Sequence, residues 1–160
     1  MMNVNFIAMG KLKDSWQREA CAEYLKRLAA YSRVTVKEPE PIALPQEPSA
    51  AQIEQALERE GAAIREQLSK GGYKIALCVE GRPLSSEKLA ELLENLANNG
   101  ISSVNFIVGS SFGLSEELKR DCDLRLSMSP MTFPHGLARV MLLEQVYRAF
   151  SIFNNSKYHK

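Results

Sequence analysis

The stretch FIVGSSFGLSEE, residues 106–117, contains the residue types of a nucleophile turn. Its Gly109, Ser111 and Gly113 match the G-x-S-x-G pattern, which presents a hydrolase serine at a sharp turn between a strand and a helix. The other members of a serine, acid and histidine triad follow in the right order, and they are Asp121 or Asp123 and then His135. The pattern therefore predicts, as one alternative, a serine hydrolase that uses Ser111.

A helix signal directly after these residues favours a different interpretation. Ser115 followed by Glu116 and Glu117 is typical of a helix N-cap with acidic residues in the first turn. Residues 109–114 would then form an open loop at the carboxyl end of a strand, where open α/β sheets bind small molecules. Because glycine has no side chain, such a loop lets a ligand approach the main chain closely.

A second loop, LSMSPMTFPHG at residues 126–136, has a composition suited to a flat, partly apolar ligand such as an adenine base. Its prolines restrict the backbone, and its methionines and phenylalanine offer apolar surface, although core filling is an alternative role for them. A third loop, LCVEGRP at residues 77–83, would complete one pocket. The sequence lacks both G-x-G-x-x-G after the first strand and G-x-x-x-x-G-K-[ST], so dinucleotide and triphosphate cradles are not supported.

The elements that must position these loops alternate between strand-like and helix-like runs. This alternation predicts an α/β fold with a largely parallel sheet. The expected strands cover residues 4–10, 33–38, 73–81, 103–109 and 123–129, and the expected helices cover residues 16–31, 50–69, 85–100, 115–122 and 134–153. Ser49 and Ser115 precede two of these helices as expected N-caps.

The composition is that of an ordinary globular protein. The chain has 160 residues, of which 45% are hydrophobic and 24% charged, so we expect a single domain over residues 1–160. Neither a basic leader nor a membrane-length apolar run is present, which predicts a cytoplasmic protein without a membrane anchor. The three cysteines are odd in number and widely separated, so the sequence predicts buried free thiols and no metal site.

Charge is distributed unevenly along the chain, although the net charge is only +1. The segment from Glu38 to Glu66 contains seven glutamates and two arginines. The segment from His135 to Lys160 contains four lysines and arginines and one acidic residue, Glu144. This asymmetry predicts that a polyanion would dock on the C-terminal side, and a solvated surface without a partner is the alternative. The small net charge indicates weak binding to bare RNA.

The final predicted helix is apolar around nearly its whole circumference. One face of a sheet cannot cover all of that surface, so such a helix must be buried on two sides. A second copy of the chain, related by a two-fold axis, would cover the other side. We therefore expect a homodimer.

Three segments together resemble one family, and they are FIVGSSFGLS, LSMSPMTFPHGLARVMLLEQVYRAFSI and the terminal YHK. The sequence is similar to the RlmH family of 23S ribosomal RNA pseudouridine N3-methyltransferases, which are SPOUT methyltransferases, and the likeness extends from GKLKD near the start to Lys160. The resemblance implies an α/β fold with a C-terminal trefoil knot and bound S-adenosylmethionine. It also implies a homodimer that acts on 23S rRNA in the ribosome.

The same resemblance implies that the cofactor is held by the three loops described above. The implied cofactor positions are Leu77, Gly109, Met128, Ser129, Pro130, Met131, Thr132 and Phe133. The sequence departs from the family at one point, because Ser110 stands where a second glycine is usual. This departure affects the shape of the glycine loop and not the presence of the pocket.

The acceptor nitrogen of a pseudouridine must lose a weakly acidic proton, so a base or a nearby cation would help the reaction. His159 is the first candidate for a base or RNA contact, and neighbouring Tyr158 is a further catalytic candidate, suited to stacking on a base. His135 begins a helix, where the dipole disfavours a positive imidazole, so it could accept a proton, contact RNA or serve the structure. The remaining candidates are cations suited to phosphate or imide charge, with Arg139 the candidate at the reaction and Arg148 and Lys160 the RNA contacts.

Two functions besides RNA methylation stay open from the sequence. One is the serine hydrolase that uses Ser111, and the other is a ribosome-associated binding protein without turnover. Binding of S-adenosylmethionine would distinguish a methyltransferase from a serine hydrolase. Labelling of ribosomal RNA with a methyl group would distinguish a methyltransferase from a protein that only binds.

Overall fold

The computed structural model describes residues 1–155 and 157–158, and there the predicted alternation forms one five-stranded sheet flanked by helices. The strands are β1 (Asn3–Ala8), β2 (Arg33–Lys37), β3 (Tyr73–Pro83), β4 (Ser103–Val108) and β5 (Leu124–Ser127). The helices are α1 (Ser15–Leu28), α2 (Ala50–Gln67), α3 (Ser86–Asn98), α4 (Glu116–Asp121) and α5 (His135–Phe153).

The strands are ordered β2-β1-β4-β3-β5, and every neighbouring pair runs parallel. The prediction of a largely parallel sheet is confirmed. Every residue of β4 and all but the first residue of β1 are buried, which explains why both strands are rich in apolar residues, and the Nδ2 of buried Asn5 donates to Oδ1 of buried Asn105 at 3.0 Å. The C-terminal trefoil knot stays a prediction.

Helices cover both faces of the sheet. On one face the core joins α1, α3 and α5 to the sheet and includes Leu93 and Phe150, each nearly inaccessible to solvent. On the other face a smaller core includes Ile64 of α2 and Leu118 of α4. Full burial of such side chains contributes about 1.5–3 kcal/mol each, so the two cores fix the sheet whose strand ends carry the loops.

Local signals start several helices as predicted. Ser49 caps α2 through a capping box, in which its Oγ accepts from the backbone N–H of Gln52 at 3.2 Å and the Gln52 side chain accepts from the Ser49 N–H. Ser115 caps α4 by accepting from the backbone N–H of Leu118 at 3.2 Å. The cap at Ser115 is confirmed, and it leaves residues 109–114 outside the helix.

Strand β3 differs from the prediction because it continues past Gly81 to Pro83. Its pairing with β5 shifts register between Leu77 and Arg82, so residues 78–81 lie outside the regular ladder. Gly81 permits this because a Cβ there would lie 2.8 Å from the backbone of Arg125. Among the described residues, the helices fall short of the length and apolarity that a bilayer span requires.

Candidate functional site

A cavity of about 530 Å³ lies at the carboxyl ends of β3, β4 and β5. Its walls come from three segments, namely the irregular part of β3, the loop after β4, and the loop between β5 and α5. This volume falls within the range of small-molecule sites, and parallel α/β sheets bind ligands at this edge. The structure therefore brings the three loops that were predicted to meet into one pocket.

The glycine loop, residues 109–114, folds back on itself. The N–H of Gly113 donates to the carbonyl of Ser110 at 2.8 Å, and Gly113 has a φ of +86° that favours glycine. The backbone of Gly113 then lies against Gly109, where a Cβ would come 2.3 Å from the Gly113 carbonyl oxygen. Gly109 is required by this close approach, which makes main-chain atoms the surface of the cavity.

Ser110 anchors the glycine loop to α2. Its hydroxyl donates to Oε1 of Glu60 at 2.7 Å, and the backbone N–H of Ile42 donates to Oε2 at 2.9 Å. Glu60 is only 4% exposed, so two donors satisfy a buried carboxylate. The serine that departs from the family pattern therefore has a structural role that glycine could not perform.

Hydrogen bonds of two serine hydroxyls fix the backbone of the proline loop, residues 128–134. Ser127 Oγ bonds to the carbonyls of Val79 and Ser129 at 2.8 and 3.1 Å, which joins β5 to the irregular part of β3. The N–H of Met131 donates to Ser129 Oγ at 3.0 Å, while the Met131 side chain is 73% exposed. A fixed backbone with an exposed apolar side chain suits contact with a flat ligand.

The residues predicted to hold a cofactor are largely assembled here. Those that line the cavity are Leu77, Gly109, Met128, Ser129, Met131, Thr132 and Phe133. Pro130 is exposed and is not part of the lining. The core-filling alternative for Met131 is wrong, since this side chain is open to solvent.

Sequence reasoning missed a charged part of the wall. Lys119 of α4 bonds to Glu80 of β3 at 2.5 Å and to Glu116 at 2.7 Å, and both Lys119 and Glu80 line the cavity. These contacts lower the pKa of the Glu80 carboxyl and raise that of the lysine ammonium against the opposing effect of its burial. The three-residue spacing of Glu116 and Lys119 on a helix could have predicted their ion pair. The contact with Glu80 could not be predicted in this way, because Glu80 is 39 residues away from Lys119.

The hydrolase triad is not assembled around Ser111, which lines the cavity. Asp121 accepts from Arg65 at 2.6 Å, and Asp123 accepts from the backbone N–H of Lys74 at 2.7 Å. The His135 ring instead lies beside the backbone of Met9 and Gly109. Because both candidate acids are engaged elsewhere, the geometry gives a Ser111 nucleophile no oriented base.

His135 lies at the start of α5 and contributes to the cavity wall. Burial lowers the pKa of its imidazole below the ordinary value of 6.5, and the Arg139 guanidinium lowers it further. Hydrogen bonds to the backbone of Met9 and Gly109 partly offset this effect. A neutral imidazole that holds the start of α5 beside the glycine loop has a positioning role. This supports the structural role that was one of the alternatives for His135.

We expect the protein to lose stability as the pH falls below about 6.5, the ordinary histidine pKa. The pKa of His135 is depressed in the folded state, so the unfolded chain takes up this proton first, and stability falls until the pH passes the folded pKa. His135→Gln removes this contribution and should lose less stability over the same range. Urea unfolding of both proteins at about pH 7.5 and about pH 5.5 measures the difference, and equal losses would contradict the assignment.

The predicted catalytic and RNA-binding cations are placed apart from one another. Arg139 is buried, and its guanidinium donates to the carbonyl of Gly10 at 2.8 Å and to Glu38 at 2.6 Å. Arg148 pairs with Glu144 and also lies over the ring of Tyr158, with the guanidinium carbon 4.9 Å from the ring centre. Carboxylates therefore engage two of the four cations on which the expected basic C-terminal side depended.

Tyr158 packs on the outer surface of α5. Its ring meets Tyr147 edge-on at 4.7 Å, and its hydroxyl donates to Glu144 at 3.1 Å. Burial, together with a hydrogen bond to Tyr24, raises the pKa of Tyr158 to about 12, so it stays protonated at neutral pH. His159 and Lys160 lie outside the described residues.

No group of three or more histidine, cysteine or acidic side chains is arranged to hold a metal ion in residues 1–155 and 157–158. The three cysteines are free, as the sequence predicts, and Cys78 lines the cavity. Burial raises the pKa of the Cys78 thiol, so it is protonated at neutral pH. This favours packing over reactivity for the thiol in the cavity wall.

Known proteins resemble the chain along nearly all of its length. A family model described as "Predicted SPOUT methyltransferase" matches residues 2–159. Proteins named ribosomal RNA large subunit methyltransferase H are similar throughout. The one from Pelotomaculum thermopropionicum is 45% identical over 159 residues, which is 99% of each chain. The one from Fusobacterium nucleatum is 42% identical over 99% of this chain and the whole relative.

Solved structures of more distant proteins share the fold. A probable methylase family protein from Haemophilus influenzae superposes with a TM-score of 0.56 at 14% identity, over 99% of this chain and 70% of that one. A methylase family protein from Neisseria gonorrhoeae gives a TM-score of 0.53 at 19% identity, over 91% and 81% of the two chains. At these identities the likeness concerns the arrangement of strands and helices alone.

Proposed function

This chain belongs to the SPOUT methyltransferase family, and from that premise we propose that it methylates N3 of a pseudouridine in 23S ribosomal RNA with S-adenosylmethionine. The observation that carries the proposal is the cavity itself, in which seven of the eight predicted cofactor positions meet at the carboxyl edge of the sheet. The working site would be the ribosome in the cytoplasm.

The residues of the cavity fit an adenosyl group. The close approach of Gly113 to Gly109 leaves a cradle of main-chain atoms that a side chain at position 109 would fill. Leu77, Met128 and Phe133 offer apolar surface for a base on the neighbouring walls. A site of backbone groups and apolar side chains is suited to a flat heterocycle.

The cofactor would supply a methyl group on a positively charged sulfur, which is already a strong electrophile. The chain therefore needs to place the acceptor in line and to help it lose a proton. His135 keeps the glycine loop and the start of α5 together, while Lys119 and Glu80 hold α4 against β3. These contacts preorganise the cavity, which is how binding energy is converted into orientation.

Contacts with RNA are proposed for the C-terminal segment. His159 remains the first candidate for the base, with Tyr158 as its neighbour in sequence, and Lys160 is suited to a phosphate. Arg148 stacks on Tyr158, so the two side chains would meet RNA as a unit. Arg139 is buried against Glu38, and this placement supports a structural part for it. With a net charge of +1, the protein would depend on the assembled ribosome for affinity.

A homodimer is proposed as the working form. After α5 has packed against α1 and α3, its Leu137, Val140 and Met141 remain only partly buried, which leaves apolar surface for a second copy. Sedimentation velocity of the purified protein tests this directly. A single species with the mass of one chain at micromolar concentration would contradict the proposal.

Transfer of a tritiated methyl group to ribosomes tests the proposed function. Ribosomes from a strain lacking the enzyme should become labelled in the large-subunit RNA, and isolated RNA should be labelled far more weakly. Cofactor binding without label in the RNA would leave a binding protein. Absence of cofactor binding, together with fluorophosphonate labelling of Ser111, would replace the proposal with a hydrolase.

A further inference from the structure

The cavity has one charged wall that the proposed function leaves without a ligand. Lys119 of α4 and Glu80 from the irregular part of β3 both line it, and their charges are joined at 2.5 Å. The lysine side chain is only 10% exposed, whereas that of Glu80 is 54% exposed. An ammonium held in this way presents a fixed positive charge beside an accessible negative one.

Both members of the pair have bonding capacity beyond this contact. An ammonium group carries three N–H donors, and among the described residues this one pairs with two carboxylates, those of Glu80 and Glu116. A carboxylate accepts several hydrogen bonds, and Lys119 reaches Oε1 of Glu80. A ligand that brings one carboxylate and one ammonium would therefore find a complementary partner for each.

We propose that Glu80 and Lys119 form a subsite for the zwitterionic amino-acid end of S-adenosylmethionine, an inference that rests on the proposed function. Lys119 receives the ligand carboxylate, and Glu80 receives the ligand ammonium. Charge-assisted hydrogen bonds of this kind are about twice as strong as neutral ones. The glycine and proline loops, with their backbone and apolar surfaces, serve the adenosyl part.

The ion pair of Lys119 and Glu80 also joins α4 to β3, so its loss could weaken ligand binding by distorting the cavity. A ligand that lacks the amino-acid end separates the two roles. 5′-Methylthioadenosine retains the adenosyl group and a sulfur but has neither the carboxylate nor the ammonium. A structural defect in the cavity weakens all adenosyl ligands, whereas loss of the subsite weakens only those with the amino-acid end.

Isothermal titration calorimetry with three ligands provides the test. Lys119→Met and Glu80→Gln are each expected to weaken S-adenosylmethionine and S-adenosylhomocysteine about ten- to a hundredfold, as for the loss of a charged hydrogen bond. Binding of 5′-methylthioadenosine should stay within about twofold of the unaltered protein. Lys88→Met is the matched control, since it breaks another lysine–glutamate pair, on α3, and neither Lys88 nor its partner Glu91 lines the cavity.

The outcomes separate the subsite from the function on which it rests. Unchanged affinity for S-adenosylmethionine in both variants would overturn the subsite, and so would an equal loss for 5′-methylthioadenosine. If the unaltered protein bound none of the three ligands, the proposed function would fall together with the subsite. Glu80→Gln keeps the test decisive if Lys119→Met fails to fold, because the Glu80 side chain is 54% exposed and glutamine has nearly the same shape.

Discussion

Gly109→Ala is expected to reduce affinity for S-adenosylmethionine by about tenfold or more, since each loss of about 1.4 kcal/mol in binding free energy weakens binding tenfold. The new Cβ would lie 2.3 Å from the carbonyl oxygen and 2.6 Å from the carbonyl carbon of Gly113. Both atoms belong to backbone, so the whole turn between Ser110 and Gly113 must move. Calorimetric titration with the cofactor measures the loss.

Gly100→Ala is the matched control for this substitution. Gly100 follows α3 with a φ of +80° and has open space around the position of a Cβ. Alanine there should lower the free energy of unfolding by about 1 kcal/mol through backbone strain while cofactor affinity stays the same. If Gly109→Ala bound S-adenosylmethionine as tightly as the unaltered protein, the glycine loop would not hold the adenosyl group.

Arg139→Leu is expected to lower the free energy of unfolding by about 3 kcal/mol, the lower end of the cost of breaking a buried ion pair. The side chains of Arg139 and Glu38 are 8% and 31% exposed, so the carboxylate left behind is partly desolvated. The carbonyl of Gly10 loses its 2.8 Å donor as well. Urea unfolding, followed by circular dichroism, measures the change.

An exposed ion pair provides the comparison for Arg139. Lys88→Met breaks a pair whose side chains are 65% and 55% exposed, and its cost should stay below about 1 kcal/mol. The experiment also tests the catalytic prediction for Arg139. If Arg139→Leu unfolds like the unaltered protein yet loses methyl transfer, the residue acts in the reaction and the structural interpretation is wrong.

Features that depend on neighbouring residues were predictable from the sequence. Ser49 and Ser115 cap their helices because a hydroxyl reaches a backbone N–H three residues ahead, which is a local event. The abundance of apolar residues in β1 and β4 follows from burial on both faces in a parallel sheet. The three loops of the cavity were recognisable because glycine and proline mark unusual backbone.

Features that join distant residues were not predictable. Glu80 and Lys119 lie 39 residues apart, and Glu80 belongs to the part of β3 where the register against β5 shifts. Ser110 and Glu60 are 50 residues apart, so the serine at the glycine position had no visible partner. Arg139 was interpreted as an RNA or catalytic cation because its partner Glu38 is 101 residues away. Contacts between residues so far apart in the chain produce no periodic pattern in the sequence.

The strand order β2-β1-β4-β3-β5 has a consequence for biosynthesis. Strand β4 separates β1 from β3, so in a chain emerging from its N-terminus β3 has no neighbour to pair with until Val108 has been made. Pairings between such distant segments form slowly and expose strand edges in the meantime. Although β1 and β2 can pair early, the sheet is therefore completed late in translation, and we expect ligand binding only once the final helix has left the exit tunnel.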